Sequence, residues 1–160
     1  TRHAAEVLSA VASGLGGRLF EALRDRRSLA YTVVASSWQK ARAGAFLAYI
    51  ATSPEREEEA RREMLREVSR FAEERVTVEE LSQATSYLAG QTEVNRQSGS
   101  AVAGEILEAW LAGEGLIDLA DTAAAYRAVT ADEVRAVAVR ILGPALTHAE
   151  GVVRGTGGGK

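Results

Sequence analysis

Apolar and polar residues alternate along this chain with two periods. From His3 to Ala12 the apolar positions Ala4, Val7, Leu8 and Val11 recur at helical spacing, which predicts an amphipathic helix. Gly14, Gly16 and Gly17 then interrupt it, and Arg18 to Arg26 resumes as a second, shorter helix with Leu19, Phe20 and Leu23 inward. The runs Ala30 to Trp38 and Ala45 to Thr52 are rich in Val, Ile, Tyr, Phe and Thr. With the polar link Gln39 to Gly44 between them, they predict an antiparallel hairpin.

Beyond the hairpin the period is helical. Ser53 is a candidate N-cap and Pro54 suits the first turn of a long helix, with Ala60, Met64, Val68, Phe71 and Ala72 on one face and solvated Glu and Arg elsewhere. Thr77-Val78-Glu79-Glu80 and Thr130-Ala131-Asp132-Glu133 have the form of capping boxes, opening helices to about Asn95 and about Leu142. Gln97-Ser98-Gly99-Ser100 predicts a break, Ala101 to Ala112 a helix ended by Gly113 and Gly115, and Ile117 to Ala128 a further helix. Gly143-Pro144 stops the last helix, and His148 to Val153 reads as a final strand. Gly155 to Lys160 reads as a flexible tail. Strands segregated from helices indicate an α+β fold: an antiparallel sheet packed on one face by several helices.

Size and composition narrow the function. The chain has 160 residues, with 46% hydrophobic and 26% charged, as in one globular domain. Its net charge of −3 disfavours a nucleic-acid partner. No apolar run is long enough to span a membrane. Charge is uneven: residues 1–42 carry seven basic and three acidic side chains, residues 54–80 six and ten. The absence of cysteine excludes disulfides, thiolate metal sites and a cysteine nucleophile. His3 and His148 have no histidine partner at ligand spacing, so no metal site is expected. The chain opens on Thr1, which suggests a piece of a longer protein.

Other chemistry is thinly supported. There is no Gly-x-Ser-x-Gly elbow. The Gly14, Gly16, Gly17 run lacks the pattern of a phosphate loop and reads as a helix–helix corner. Glu57 with Glu58, and Glu73 with Glu74, read as a solvated face. Trp38 and Trp110 could stack a ligand, but packing is the default reading. The run Arg24-Asp25-Arg26-Arg27-Ser28-Leu29-Ala30-Tyr31 reads, by pattern alone, as a positively charged helix end entering a strand.

The stretch Gly14-Leu15-Gly16-Gly17-Arg18-Leu19-Phe20-Glu21-Ala22-Leu23-Arg24, continuing through Ser28-Leu29-Ala30-Tyr31-Thr32-Val33, resembles the insulinase/pitrilysin zinc metallopeptidases. It is most similar to their second, non-catalytic half, in which a glycine-rich corner is followed by an Arg and a Tyr seven residues apart, here Arg24 and Tyr31. The resemblance extends over most of residues 4 to 154. The catalytic half's His-x-x-Glu-His is absent.

The resemblance implies a non-catalytic domain over residues 1–154 whose first strand is truncated. It implies that Arg24 and Tyr31 face a chamber and contact a peptide substrate or its transition state. No cofactor is expected in this segment, and zinc is expected in the catalytic half of the parent enzyme. The implied partners are that catalytic half, on the same chain or a separate subunit, and a peptide substrate; a membrane partner is not expected. A homodimer would follow if a truncated sheet left an edge open. The alternatives are a structural scaffold subunit of the same family without peptidase activity, and an unrelated helical adapter.

Overall fold

A computed structural model describes residues 1–14, 16–40, 43–113, 121–143 and 148–154. Helix α1 (Arg2–Ser13) starts at Thr1, whose side chain accepts from the Ala4 backbone N–H, and buries Ala4, Val7, Leu8 and Val11 as the periodicity requires. Helix α2 (Arg18–Phe20) passes directly into a π-helical turn, Glu21–Asp25, which leads to strands β1 (Thr32–Lys40) and β2 (Ala43–Ala51). After a 3-10 turn, Pro54–Arg56, come α3 (Glu57–Glu73), α4 (Val78–Asn95), α5 (Gly99–Ala112), α6 (Thr122–Arg127) and α7 (Ala131–Leu142).

The strands pair antiparallel with Val34 opposite Tyr49, Ser36 opposite Leu47 and Trp38 opposite Ala45. Because side chains alternate across a strand, Val33 and Ala35 point the other way, and α1 packs against β1 on that side. Helix α1 also packs against α4 and α7, α3 against α7, and α4 against α6. The core therefore centres on α1, with Leu19, Leu23, Leu29, Phe71 and Val134 closing around it. The architecture is α+β, with a two-stranded antiparallel sheet among the described residues.

Several expectations hold in detail. Both capping boxes form: Thr77 Oγ1 accepts from the Glu80 N–H at 3.1 Å while Glu80 Oε2 accepts from the Thr77 N–H at 2.7 Å, and Thr130 with Glu133 repeats the pattern. Gly113 ends α5 with φ 77°, where a side chain would be strained.

Others need correction. The link expected from Gln39 to Gly44 is mostly strand, since the ladder runs to Lys40 opposite Ala43. Ser53 makes no capping bond in the backbone turn it precedes, and Pro54 opens a 3-10 turn, so α3 proper starts at Glu57. The expected final strand is absent from the described part: residues 148–154 have no ladder partner and are held against α3 by ion pairs, Arg61 with Glu150 and Arg154 with Glu57. A strand exists only through pairing, and this segment meets no sheet edge among the described residues. Of the helix expected over Ile117 to Ala128, Thr122–Arg127 is helical, capped by Asp121; Gly115, residues 117–120, Pro144 and the tail from Gly155 lie outside the described residues.

Candidate functional site

The site begins at the glycine corner. A Cβ on Gly14 would stand 2.4 Å from the Ala10 carbonyl oxygen, and one on Gly17 would stand 2.8 Å from that of Ala12. Only glycine lets the chain fold back this tightly on the end of α1, which matches the expected close-packed corner. Between the corner and α4 lies a small cleft of about 200 Å³, lined among others by Ala10, Val11, Gly16, Ala84 and Tyr87.

Arg18, the first residue after the corner, fixes the direction of α2. It grips Glu80 in two hydrogen bonds of 2.6 and 2.7 Å, donates to the Arg75 carbonyl at 2.8 Å, and lies 5.4 Å from the centre of the Phe71 ring. This fork raises the Arg18 pKa and holds the Glu80 carboxyl below the ordinary carboxylate range. One side chain thus joins the start of α2, the end of α3 and the start of α4.

Beyond α2, Arg24 and Tyr31 flank a wide turn. The Arg26 N–H bonds to the Glu21 carbonyl at 2.9 Å, the five-residue step of a π-turn. Two further bonds close the end: Leu29 N–H to Leu23 C=O at 2.7 Å encloses Ser28 N–H to Arg24 C=O at 2.9 Å. Each spans one residue more than the corresponding bond of a Schellman cap, consistent with the wider π-turn. Ser28 takes the left-handed conformation, φ 50°, and turns the chain toward β1. Leu23 and Leu29 are buried on either side of the turn.

Arg24 is exposed and stacks its guanidinium over Phe20, 4.6 Å from the ring centre. Tyr31 is 75% exposed, and its backbone N–H bonds the Ala51 carbonyl at 2.8 Å. Among the described residues Arg24 makes no ion pair and the Tyr31 hydroxyl no hydrogen bond. The neighbouring arginines are engaged: Arg26 pairs with Glu21 and Arg27 with Glu63. Tyr31 is therefore no core strand residue, and its ring fills no cavity whose loss would unfold the domain.

The other candidates fall elsewhere. His3 rests edge-on against Tyr126 with ring centres 5.0 Å apart, and His148 lies 3.0 Å from Glu150 on the outside. Tyr126 bonds Glu6, and burial followed by that carboxylate pushes its pKa up. Trp38 and Trp110 are 74% and 78% exposed, which corrects the packing expectation. Trp38 has the same parity as Val34, on the sheet face away from α1; on α5 the one described buried side chain is Ala109. The acidic helix is not wholly solvated either. Glu63 and Glu67 are buried, bridged by Arg66 at 3.1 and 3.3 Å, with Arg27 on Glu63 and Arg70 on Glu67. Arg27, then Arg66, holds the Glu63 carboxyl below its usual range.

Two residues of this region carried no sequence signal. Arg56 donates to the Ser28 carbonyl at 2.7 Å and the Arg27 carbonyl at 3.2 Å, and Glu63 holds Arg27. In sequence both look like ordinary members of a charged helix.

Residues 1–88, from α1 well into α4 and so including the whole corner and turn, match the sequence profile of the peptidase M16 inactive domain. The chain belongs to that family. An uncharacterized zinc protease of Streptomyces coelicolor is 31% identical over 135 residues, covering 84% of this chain and 29% of the relative. A crystal structure of a peptidase M16 inactive domain from Pseudomonas fluorescens superposes with a TM-score of 0.77 at 21% identity, over 87% of this chain and 34% of that one. A protease from Helicobacter pylori gives 0.65 at 18% identity, over 87% and 34%. The chain thus spans about a third or less of these relatives.

For an M16 inactive domain the question of zinc has a local answer. Among the described residues no three His, Cys, Asp or Glu side chains are grouped as ligands would be, and the carboxylates of the site are taken up by arginines.

Proposed function

We propose that this chain is the substrate-binding, non-catalytic half of a zinc-dependent endopeptidase acting on peptides or unfolded proteins. The zinc and its ligands belong to a catalytic half of the same family, on the same polypeptide or a separate subunit. Within this half, Arg24 and Tyr31 are the groups that meet the substrate.

The observation that carries the reading is the pair itself. Two polar side chains stand exposed at the ends of one closed turn, with no ion pair or side-chain hydrogen bond among the described residues, while Arg26 and Arg27 between them are paired. A tyrosine hydroxyl is suited to donate to the oxyanion that develops as an amide carbonyl becomes tetrahedral. A guanidinium offers a planar fork to a peptide carbonyl or carboxylate. Stacking on Phe20 restricts Arg24 to few orientations, so little freedom is lost on binding.

The test is steady-state kinetics in the full enzyme with both halves present. Tyr31→Phe removes one hydroxyl and almost no volume. Its kcat is expected to fall by roughly 10²–10³, the scale for one lost oxyanion donor. KM should change little, because that bond would exist mainly in the transition state. Arg24→Ala should raise KM as well. Near-normal turnover in a folded Tyr31→Phe enzyme would exclude the hydroxyl's role, whereas absence of peptidase activity from the wild-type protein with both halves present would favour the scaffold subunit.

A further inference from the structure

We propose that Arg56 is a positioning residue for the Arg24–Tyr31 site, setting the turn between them from the start of α3. This rests on the reading of that pair as substrate-contacting groups.

A helix end leaves carbonyl groups without helical partners. Here the π-turn and its two closing bonds occupy the carbonyls of Glu21, Leu23 and Arg24. Further along the turn, the carbonyls of Arg27 and Ser28 both accept from the Arg56 guanidinium, at 3.2 Å from Nη2 and 2.7 Å from Nη1. Two consecutive carbonyls held by two nitrogens of one planar group fix the peptide between them in orientation as well as position, which a point charge cannot do.

The clamp is itself anchored. Arg56 closes the 3-10 turn begun by Pro54, whose ring restricts φ, and its Nη2 lies 3.3 Å from Glu59 one turn on. A second strut from the same helix acts on the same turn, with Glu63 holding the Arg27 side chain.

The turn needs such support. Ser28 at φ 50° is in the left-handed region, which a residue with a Cβ adopts only against steric resistance. Without the clamp, that residue can relax to an ordinary conformation. Ser28 stands between Arg24 and Tyr31, so any relaxation changes their separation and mutual angle. Binding groups displaced by about 1 Å lose much of their effect on a transition state.

The experiment is a double-mutant cycle in the full enzyme, with thermal melts of each protein. Arg56→Ala is expected to lower kcat by about tenfold, with KM changed less than about twofold and the fold intact. Arg56→Lys, able to reach one carbonyl, should recover part of the rate and carries the same test if the alanine variant unfolds. In the Tyr31→Phe background, Arg56→Ala should lower kcat by no more than about twofold, because most of its effect on turnover passes through that hydroxyl. A slow Tyr31→Phe enzyme beside a double variant slowed by the full product overturns the clamp alone. Full turnover in Tyr31→Phe overturns the reading of the pair, and the clamp's role with it.

Discussion

Ser28 is the one non-glycine residue with positive φ among the described residues, and it stands at the turn that separates Arg24 from Tyr31. Glycine adopts this conformation without steric penalty, although it gains freedom in the unfolded chain. Ser28→Gly should therefore stabilise the domain by about 0.5–1 kcal/mol, a rise of about 1–4 °C in Tm for a domain of this size. A melt of the variant checks this, and an unchanged or lower Tm would show that the strain at Ser28 is smaller than the freedom glycine adds to the unfolded chain. Nothing in the sequence marks this position, since serine favours turns of many kinds. Arg24 and Tyr31 were legible only as a resemblance, because spacing alone cannot distinguish an exposed tyrosine at a strand entrance from a core one. Arg56 and Glu63 were not legible at all, because their partners lie 28 and 36 positions away.

Among the elements, those fixed by local chemistry were read correctly. The α1 stripe, the two capping boxes and the glycine stop of α5 each depend on residues within one or two turns. Others were misjudged: the hairpin continues past Trp38 to Lys40 opposite Ala43, α2 widens into a π-turn, and the strand expected near the end has no ladder partner among the described residues. The cap at Thr77 allows a graded test. Thr77→Ala removes one capping bond and should cost about 1 kcal/mol. Glu80→Gln should cost more, about 1.5–3 kcal/mol, because Glu80 also receives the Arg18 fork that ties α2 and α3 to α4. The same carboxylate predicts a pH response. Its folded pKa lies below the unfolded value of 4.5, so the unfolded state binds more protons between the two values. Its contribution is therefore complete above pH 4.5 and is lost as pH falls through the folded pKa. Denaturation followed from pH 6 to pH 3 should show stability declining below about 4.5, with a shallower decline in Glu80→Gln. Identical slopes would place the acid response in other carboxylates, of which Glu105, held down by Arg96, is the nearest in character.

For the molecule as a whole, the described residues cover the hairpin on the α1 side. Val33 and Ala35 face α1, while Val34, Trp38, Leu47 and Tyr49 occupy the opposite face and are exposed. Strand β2 reads Ala-Gly-Ala-Phe-Leu-Ala-Tyr-Ile-Ala, without a charge or a proline, the features that keep a sheet edge from pairing with another chain. An uncharged strand also meets no like-charge repulsion when a second copy aligns antiparallel to it across a twofold axis. The edge of β1 is less available, because Ser13 Oγ donates to the Ala35 carbonyl at 2.8 Å. The 160-residue chain by itself is therefore expected to self-associate through β2, and sedimentation velocity over a range of concentrations measures it. Leu47→Lys places a charge on the exposed face, where the wild-type side chain is 62% accessible, so the fold should survive with Tm nearly unchanged. In a symmetric pair each lysine would confront its copy nearby, and the weight-average mass should fall toward that of the monomer. A wild-type chain that stays monomeric at the highest concentration would show that an exposed, uncharged strand is insufficient here and that this face is not a contact between copies. Loss of association in Leu47→Lys, with the melt preserved, would instead locate the contact on the hairpin and separate it from the Arg24–Tyr31 turn, whose residues the substitution leaves untouched.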